Sequence, residues 1–209
     1  MTHDASADLV GEVREKGNLD RATIVHAALR LLDEVGIDGL STRRLAAELG
    51  IKSASLYWHF KDKGELLNEM SSEMFNECLQ AIHASKSDAD MLEHLAEIAR
   101  ILRRTALSRR DGAQVMARPL TRTLSAKTAF EENVKALVRA GLADMDARLA
   151  LQTIRRFAIG TAIQERSNDA LSLSAGIVCT GDEGFEFGLQ AFIQGLKVRI
   201  AARLTGAPH

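Results

Sequence analysis

The sequence predicts an all-α protein, and three observations carry the prediction. Apolar residues recur every three or four positions through most of the chain, the period of a helix with one buried face. No segment sustains the strict alternation of a half-buried strand. Only two prolines occur in 209 residues, so little interrupts long helices. The rest of the composition is ordinary soluble globular material, 46% hydrophobic and 26% charged, with a net charge of −1.

Taken in order, residues 1–18 hold four acids (Asp4, Asp8, Glu12, Glu15) and two bases (Arg14, Lys16) and read as a mobile arm. Asp20 is placed to cap a first helix whose stripe is Ile24, Ala27, Ala28, Leu31, Leu32 and Val35, ended by Gly36. Ser41 caps a second, Thr42 to Leu49, with Leu45, Ala46 and Leu49 inward. Gly50 follows where a left-handed residue ends such a helix. A third helix is expected over Ser53 to Phe60. Across the turn, Ala46 permits close approach while Ile51 and Leu56 pin the pair together. That is a helix-turn-helix.

After a break at Lys61 to Lys63, Asp62 and Glu65 form a capping-box variant. Leu66, Met70, Met74, Cys78 and Ile82 then mark a helix of some 20 residues. Beyond the polar loop Ser85 to Asp90, Leu92, Leu95, Ala99 and Leu102 mark the next. A short element at Asp111 to Ala117 is stopped by Pro119, and a longer one runs from Ser125 to Ala140, closed by Gly141. Asp144 to Ile163 is apolar on most faces and is expected to be central. Ser167 to Asp182 is a loop. Phe185, Leu189, Phe192 and Leu196 form the stripe of a last helix, Glu183 to Arg203. The last two long helices carry more apolar surface than one subunit needs to hide, and those four residues are expected to face a second copy in a four-helix homodimer interface.

Residues 41–63 hold five Lys or Arg against two acids, a basic patch on a nearly neutral chain, and locally basic surface is what phosphate attraction needs. The same stretch holds the chain's one tyrosine and one tryptophan. The run from Leu31 through Arg43 to Leu56-Tyr57-Trp58-His59 resembles the DNA-binding domain of the TetR family of bacterial repressors, with its tetracycline repressor subgroup the nearest likeness. The resemblance implies double-stranded operator DNA as partner, contacted by Thr42, Arg43, Ser53, Ala54, Ser55, Tyr57, Trp58, His59 and Lys63. Ser53, Ala54 and Ser55 differ from the subgroup, so the operator sequence is not carried over. It also implies an arm at 1–18, a helix-turn-helix domain at 19–64, and an effector-binding and dimerisation domain at 65–209, with the helix after Lys63 as the lever between them.

Towards the far end the likeness continues through Ser108 to Pro119 and the run FEFGLQAFIQGL. There the subgroup's magnesium-binding histidine falls at Met116, a second drug-contacting histidine at Leu79, drug-lining amide and aromatic side chains at Ile98 and Leu102, and a glutamate near the metal at Gln164. Asn133 alone keeps its polar amide. Magnesium takes hard oxygen ligands or water, and a thioether supplies neither. The expected effector is therefore small and hydrophobic rather than tetracycline–magnesium, held by Leu79, Ile98, Leu102, Met116, Ile154 and Phe157 with Asn133 as polar anchor. No cofactor is expected.

Other classes find little support. No HExxH, metal-spaced histidine pair, phosphate-cradling glycine loop or GxSxG elbow occurs, so an enzyme is not expected. No 18-residue uncharged stretch is present to span a membrane, and the polar, acidic N-terminus has no export signal, which points to the cytoplasm. Cys78 and Cys179 are then reduced thiols. The rival reading is a helical ligand-binding or interaction protein whose helix-turn-helix does not bind DNA. Steep salt dependence of DNA binding separates the two.

Overall fold

The computed structural model describes residues 20–85, 90–119, 124–166 and 181–205, and among these it contains nine helices and no strand. They are α1 (Arg21–Gly39), α2 (Thr42–Glu48), α3 (Ser53–Leu56), α4 (Lys63–Ala84), α5 (Met91–Leu107), α6 (Gly112–Met116), α7 (Leu124–Arg139), α8 (Asp144–Arg166) and α9 (Asp182–Thr205). The arm at 1–18, Cys179 and most of the two expected loops, 85–90 and 167–182, lie outside the described residues.

In the head, α1 begins where expected, the Asp20 carboxylate accepting the Thr23 N–H at 2.7 Å. Its stripe is buried save for Val35, which is half-buried against the core, and regular helix stops at Gly36, whose φ of 72° kinks the chain. A side chain here would be strained by that angle and would also press on Asp111 Oδ2, 2.7 Å from an ideal Cβ. The α3 helix is shorter than expected. From Leu56 onward the His59 N–H reaches back three residues to the Leu56 carbonyl, so the segment closes in a tight turn rather than continuing to Phe60.

The helix α4 starts at the head and enters the body. Asp62 Oδ1 accepts the Glu65 N–H at 2.8 Å, and Glu65 reaches back to the Lys61 N–H at 2.8 Å, one residue before the reciprocal bond of a standard capping box. All five predicted stripe residues of α4 are buried. It packs against α1 in the head and against α5, α6 and α7 in the body.

The central helix of the body is α5. It buries nine of its 17 residues and packs against α4, α6, α7, α8 and α9. The helix α8, expected to be central, packs against α5, α6 and α7, buries seven of its 23 residues and leaves Met145 and Leu149 exposed. The four residues expected at a dimer interface lie along the inward face of α9. Phe185, Leu189 and Leu196 are buried in their own chain's core and Phe192 packs partly against it, so this stripe is already occupied. The helix is apolar on a second face as well, where Phe187 is 80% exposed and Val198 and Leu204 are also open.

Candidate functional site: a recognition surface and a cavity

The recognition surface is held by a small set of backbone devices. Ser41 Oγ accepts the Arg44 N–H at 3.3 Å and starts α2, and Leu45 and Ala46 are buried against the head's core. The helix ends as Gly50 turns to φ 65° and the Ile51 N–H returns to the Ala46 carbonyl at 2.9 Å. Leu56 and Phe60 are buried and anchor α3 from beneath. Arg21 lies 4.4 Å from the centre of the Phe60 ring, donates to the His59 carbonyl, and pairs with Glu65 and Glu69 at 3.0 and 3.1 Å. One arginine thus ties α1 to the end of α3 and to the start of α4.

With its rear face so anchored, the segment turns its remaining side chains out. Trp58 is 89% exposed and Tyr57 58%, so neither ring fills the head's core. Arg43 and Ala54 are exposed, and Thr42, Ser53, Ser55 and His59 are half-buried. Two large aromatics held in water beside cations, on a helix-turn-helix, form a surface built for contact. Lys63 differs from the others: its ammonium donates to the Ile37 carbonyl at 2.7 Å and clasps α4 to the end of α1.

A turn from the body grips that same end of α1. After α5, Asp111 adopts the left-handed conformation (φ 55°), uncommon for a residue with a side chain, and its carboxylate accepts the Ile37 N–H at 2.8 Å. Arg109 pairs with Asp33 on α1 and Glu77 on α4 at 3.1 and 3.0 Å, and Arg110 donates to the Glu34 carbonyl at 2.8 Å. The turn between α5 and α6 is thus joined to α1 by ion pairs and hydrogen bonds.

Among α4, α5, α7 and α8 lies a cavity of about 340 Å³, within the usual range for small-molecule sites. It brings together Leu79, Ile98, Leu102 and Asn133 as expected. Asn133 Nδ2 donates to the Ala129 carbonyl at 2.8 Å, which orients the amide. Met116, Ile154 and Phe157, also expected at the effector, are not among the residues that line this hollow. Met116 and Ile154 are buried in the core. Phe157 stacks on Phe185 with ring centres 5.2 Å apart, in space that exists because position 188 is glycine.

Sequence reasoning missed Phe75, Phe130, Leu151 and Arg155 in the cavity wall. Phe75 stands four residues before Leu79 and Phe130 three before Asn133, so helical spacing from the two predicted residues would have found them. Arg155 was hidden by a run read as apolar. A second hollow, about 470 Å³, shares Leu79, Ile82, Ala129 and Asn133 with the first and carries His83, His94 and Glu132 on its rim. Among the described residues no group of three or more His, Cys, Asp or Glu is placed to hold a metal ion. The buried Cys78 thiol is pushed up to about 11 by desolvation, which leaves it protonated and inert at neutral pH.

Comparison with known proteins agrees with this geometry. Residues 24–70 match the family model of bacterial regulatory proteins of the tetR family, and residues 85–176 match that of the tetracyclin repressor-like C-terminal domain. The chain is 33% identical over 208 residues to the class A tetracycline repressor of transposon 1721 from Escherichia coli, covering 90% of this chain and 95% of that protein. Its fold is similar to a TetR variant from Acinetobacter baumannii in complex with minocycline (TM-score 0.75, 33% identity, 87% and 98% of the two chains). It is also similar to BioQ with its natural double-stranded DNA operator (TM-score 0.67, 30% identity, 85% and 98%). No described helix is long and apolar enough to cross a membrane. Coverage of nearly the whole chain, together with the helix-turn-helix and the helical body behind it, makes this protein a member of the TetR family of DNA-binding transcriptional regulators.

Proposed function

We propose that the protein is a ligand-responsive transcriptional repressor of the bacterial cytoplasm. It binds a palindromic operator as a homodimer and is released by a small hydrophobic effector other than tetracycline–magnesium. The observation that carries this reading is the pairing of an outward recognition surface, with Tyr57 and Trp58 exposed, and a mostly apolar cavity wrapped by the lever helix that starts at that surface. The full DNA-binding set is Thr42, Arg43, Ser53, Ala54, Ser55, Tyr57, Trp58, His59 and Lys63, with Lys63 also holding the lever in place. The effector contacts Leu79, Ile98, Leu102 and Asn133.

Dimerisation uses the outer faces of α8 and α9, where Leu149, Phe187 and Val198 are exposed, rather than the inner stripe. Two heads then reach successive major grooves about one helical turn apart. The effector acts by binding one head spacing more tightly than the other, and it shifts the equilibrium only by that difference. The relatives matched are regulators, and we assign this chain no catalytic step. Tetracycline–magnesium fits poorly because Met116 stands where the resemblance places a metal-binding histidine, and its thioether is buried in the core.

Light scattering of the full chain combined with nuclease footprinting tests the reading. A dimer mass and a footprint of two inverted half-sites are expected. A monomer on DNA, or one unpaired half-site, would overturn it.

A further inference from the structure

We propose that the cavity is built for an anionic amphiphile, a small molecule with an apolar body and a single acidic head, and that Arg155 is the residue that binds the head. This rests on the reading of the cavity as the effector site and names the chemistry of its ligand. Three other arginines of the body meet carboxylates: Arg100 meets Glu93 and Glu186, Arg103 meets Glu165 and Asp182, and Arg148 meets Glu131 and Asp144. Arg155 meets none among the described residues. Its Nη2 donates to the Met116 carbonyl at 2.9 Å and more weakly to that of Arg118 at 3.4 Å, its guanidinium lies 5.7 Å from the centre of the Phe75 ring, and its Nε is buried without a partner.

A half-buried cation facing carbonyl dipoles and a ring is undercompensated. Desolvation, with Arg156 nearby adding repulsion, pulls its pKa down from the ordinary value, yet a guanidinium stays protonated. The cavity beside it repeats the imbalance. Its described lining contains two cations, Arg155 and Lys127, and no carboxylate, while Phe75, Leu79, Ile98 and Leu102 give it greasy walls. A neutral oily ligand would leave Arg155 as it is. A carboxylate or similar anion would supply the missing charge.

The same guanidinium is wired to the lever. The Met116 and Arg118 carbonyls it holds close α6, and the Arg118 side chain donates from Nε to Asn68 Oδ1 on α4 at 2.9 Å. An anion that draws Arg155 away from those carbonyls loosens the contact between α6 and the first turns of α4.

Calorimetric titration of the full-length protein with dodecanoate and with dodecanol, two probes that differ in the head alone, tests this. The acid is expected to bind about tenfold tighter or more. Arg155→Met should abolish that preference, so that acid and alcohol bind alike, and Arg155→Lys should keep part of it. The two probes on the unaltered protein give an answer even where the Arg155→Met variant does not fold. Equal binding of acid and alcohol would overturn the anionic assignment and leave the cavity as a hydrophobic effector site. Binding of neither probe would overturn both.

Discussion

The side chains the head offers come from one contiguous stretch, 41–63, whereas the cavity in the body draws on α4, α5, α7 and α8, from Phe75 to Arg155. The head works by display: Leu45, Ala46, Leu56 and Phe60 are buried, and Arg43, Ala54, Tyr57 and Trp58 are left exposed. The body works by enclosure, where the side chain that lines a space is decided by how four helices pack. Display follows from local periodicity, and enclosure does not.

The largest effect that would break this comparison concerns the residues that sequence placed in the cavity and the fold places in the core. Met116→Ala and Phe157→Ala should each cost about 2–5 kcal/mol in urea unfolding, from lost packing. A stability loss near zero with an altered effector affinity would return them to the cavity. On the head, Arg43→Ala and Tyr57→Ala should weaken operator binding by about tenfold or more while dimer mass and helicity stay unchanged. Binding equal to the parent would show that the displayed face is not the one that touches DNA.

A smaller effect is expected where the two regions join. Asp111→Gly keeps the left-handed backbone but removes the acceptor of the Ile37 N–H, at a cost of about 1–3 kcal/mol. Hydrogen exchange at the Ile37 amide should accelerate, and unchanged exchange would mean that the turn does not hold the head. The smallest effect is pH-dependent. The Lys61 N–H, and then Arg21, hold the Glu65 carboxyl below the ordinary glutamate value of 4.5. A depressed folded value gives stability that is present above 4.5 and lost as the pH falls through the lower one. Glu65→Gln should therefore flatten the acid limb of a pH–stability curve slightly, and an identical curve would remove Glu65 from the clasp.

The head was legible in the sequence almost residue by residue. Ser41, Gly50 and Asp62 do what their chemistry dictates, because caps and left-handed turns are local. The chief head error was the length of α3, where a tight turn closes the segment after Leu56. Element order in the body was legible for the same reason, but the roles of its faces were not. The α9 stripe Phe185, Leu189, Leu196 has the period of a buried face, and period alone does not say whether its own chain or a partner buries it. Arg155 was missed because its importance lies in the missing carboxylate, which is a fact about neighbours and not about sequence.

The central claim, that the displayed face of α3 binds DNA, is tested most directly through Trp58, the chain's one tryptophan and 89% exposed. Duplexes enriched by repeated binding from a random pool would be titrated into the protein at two salt concentrations while Trp58 emission is followed. The account predicts a saturable change in emission that weakens steeply as salt rises and is absent with unselected duplex. Failure to enrich any sequence, or tight binding that leaves Trp58 emission unaltered, would contradict it.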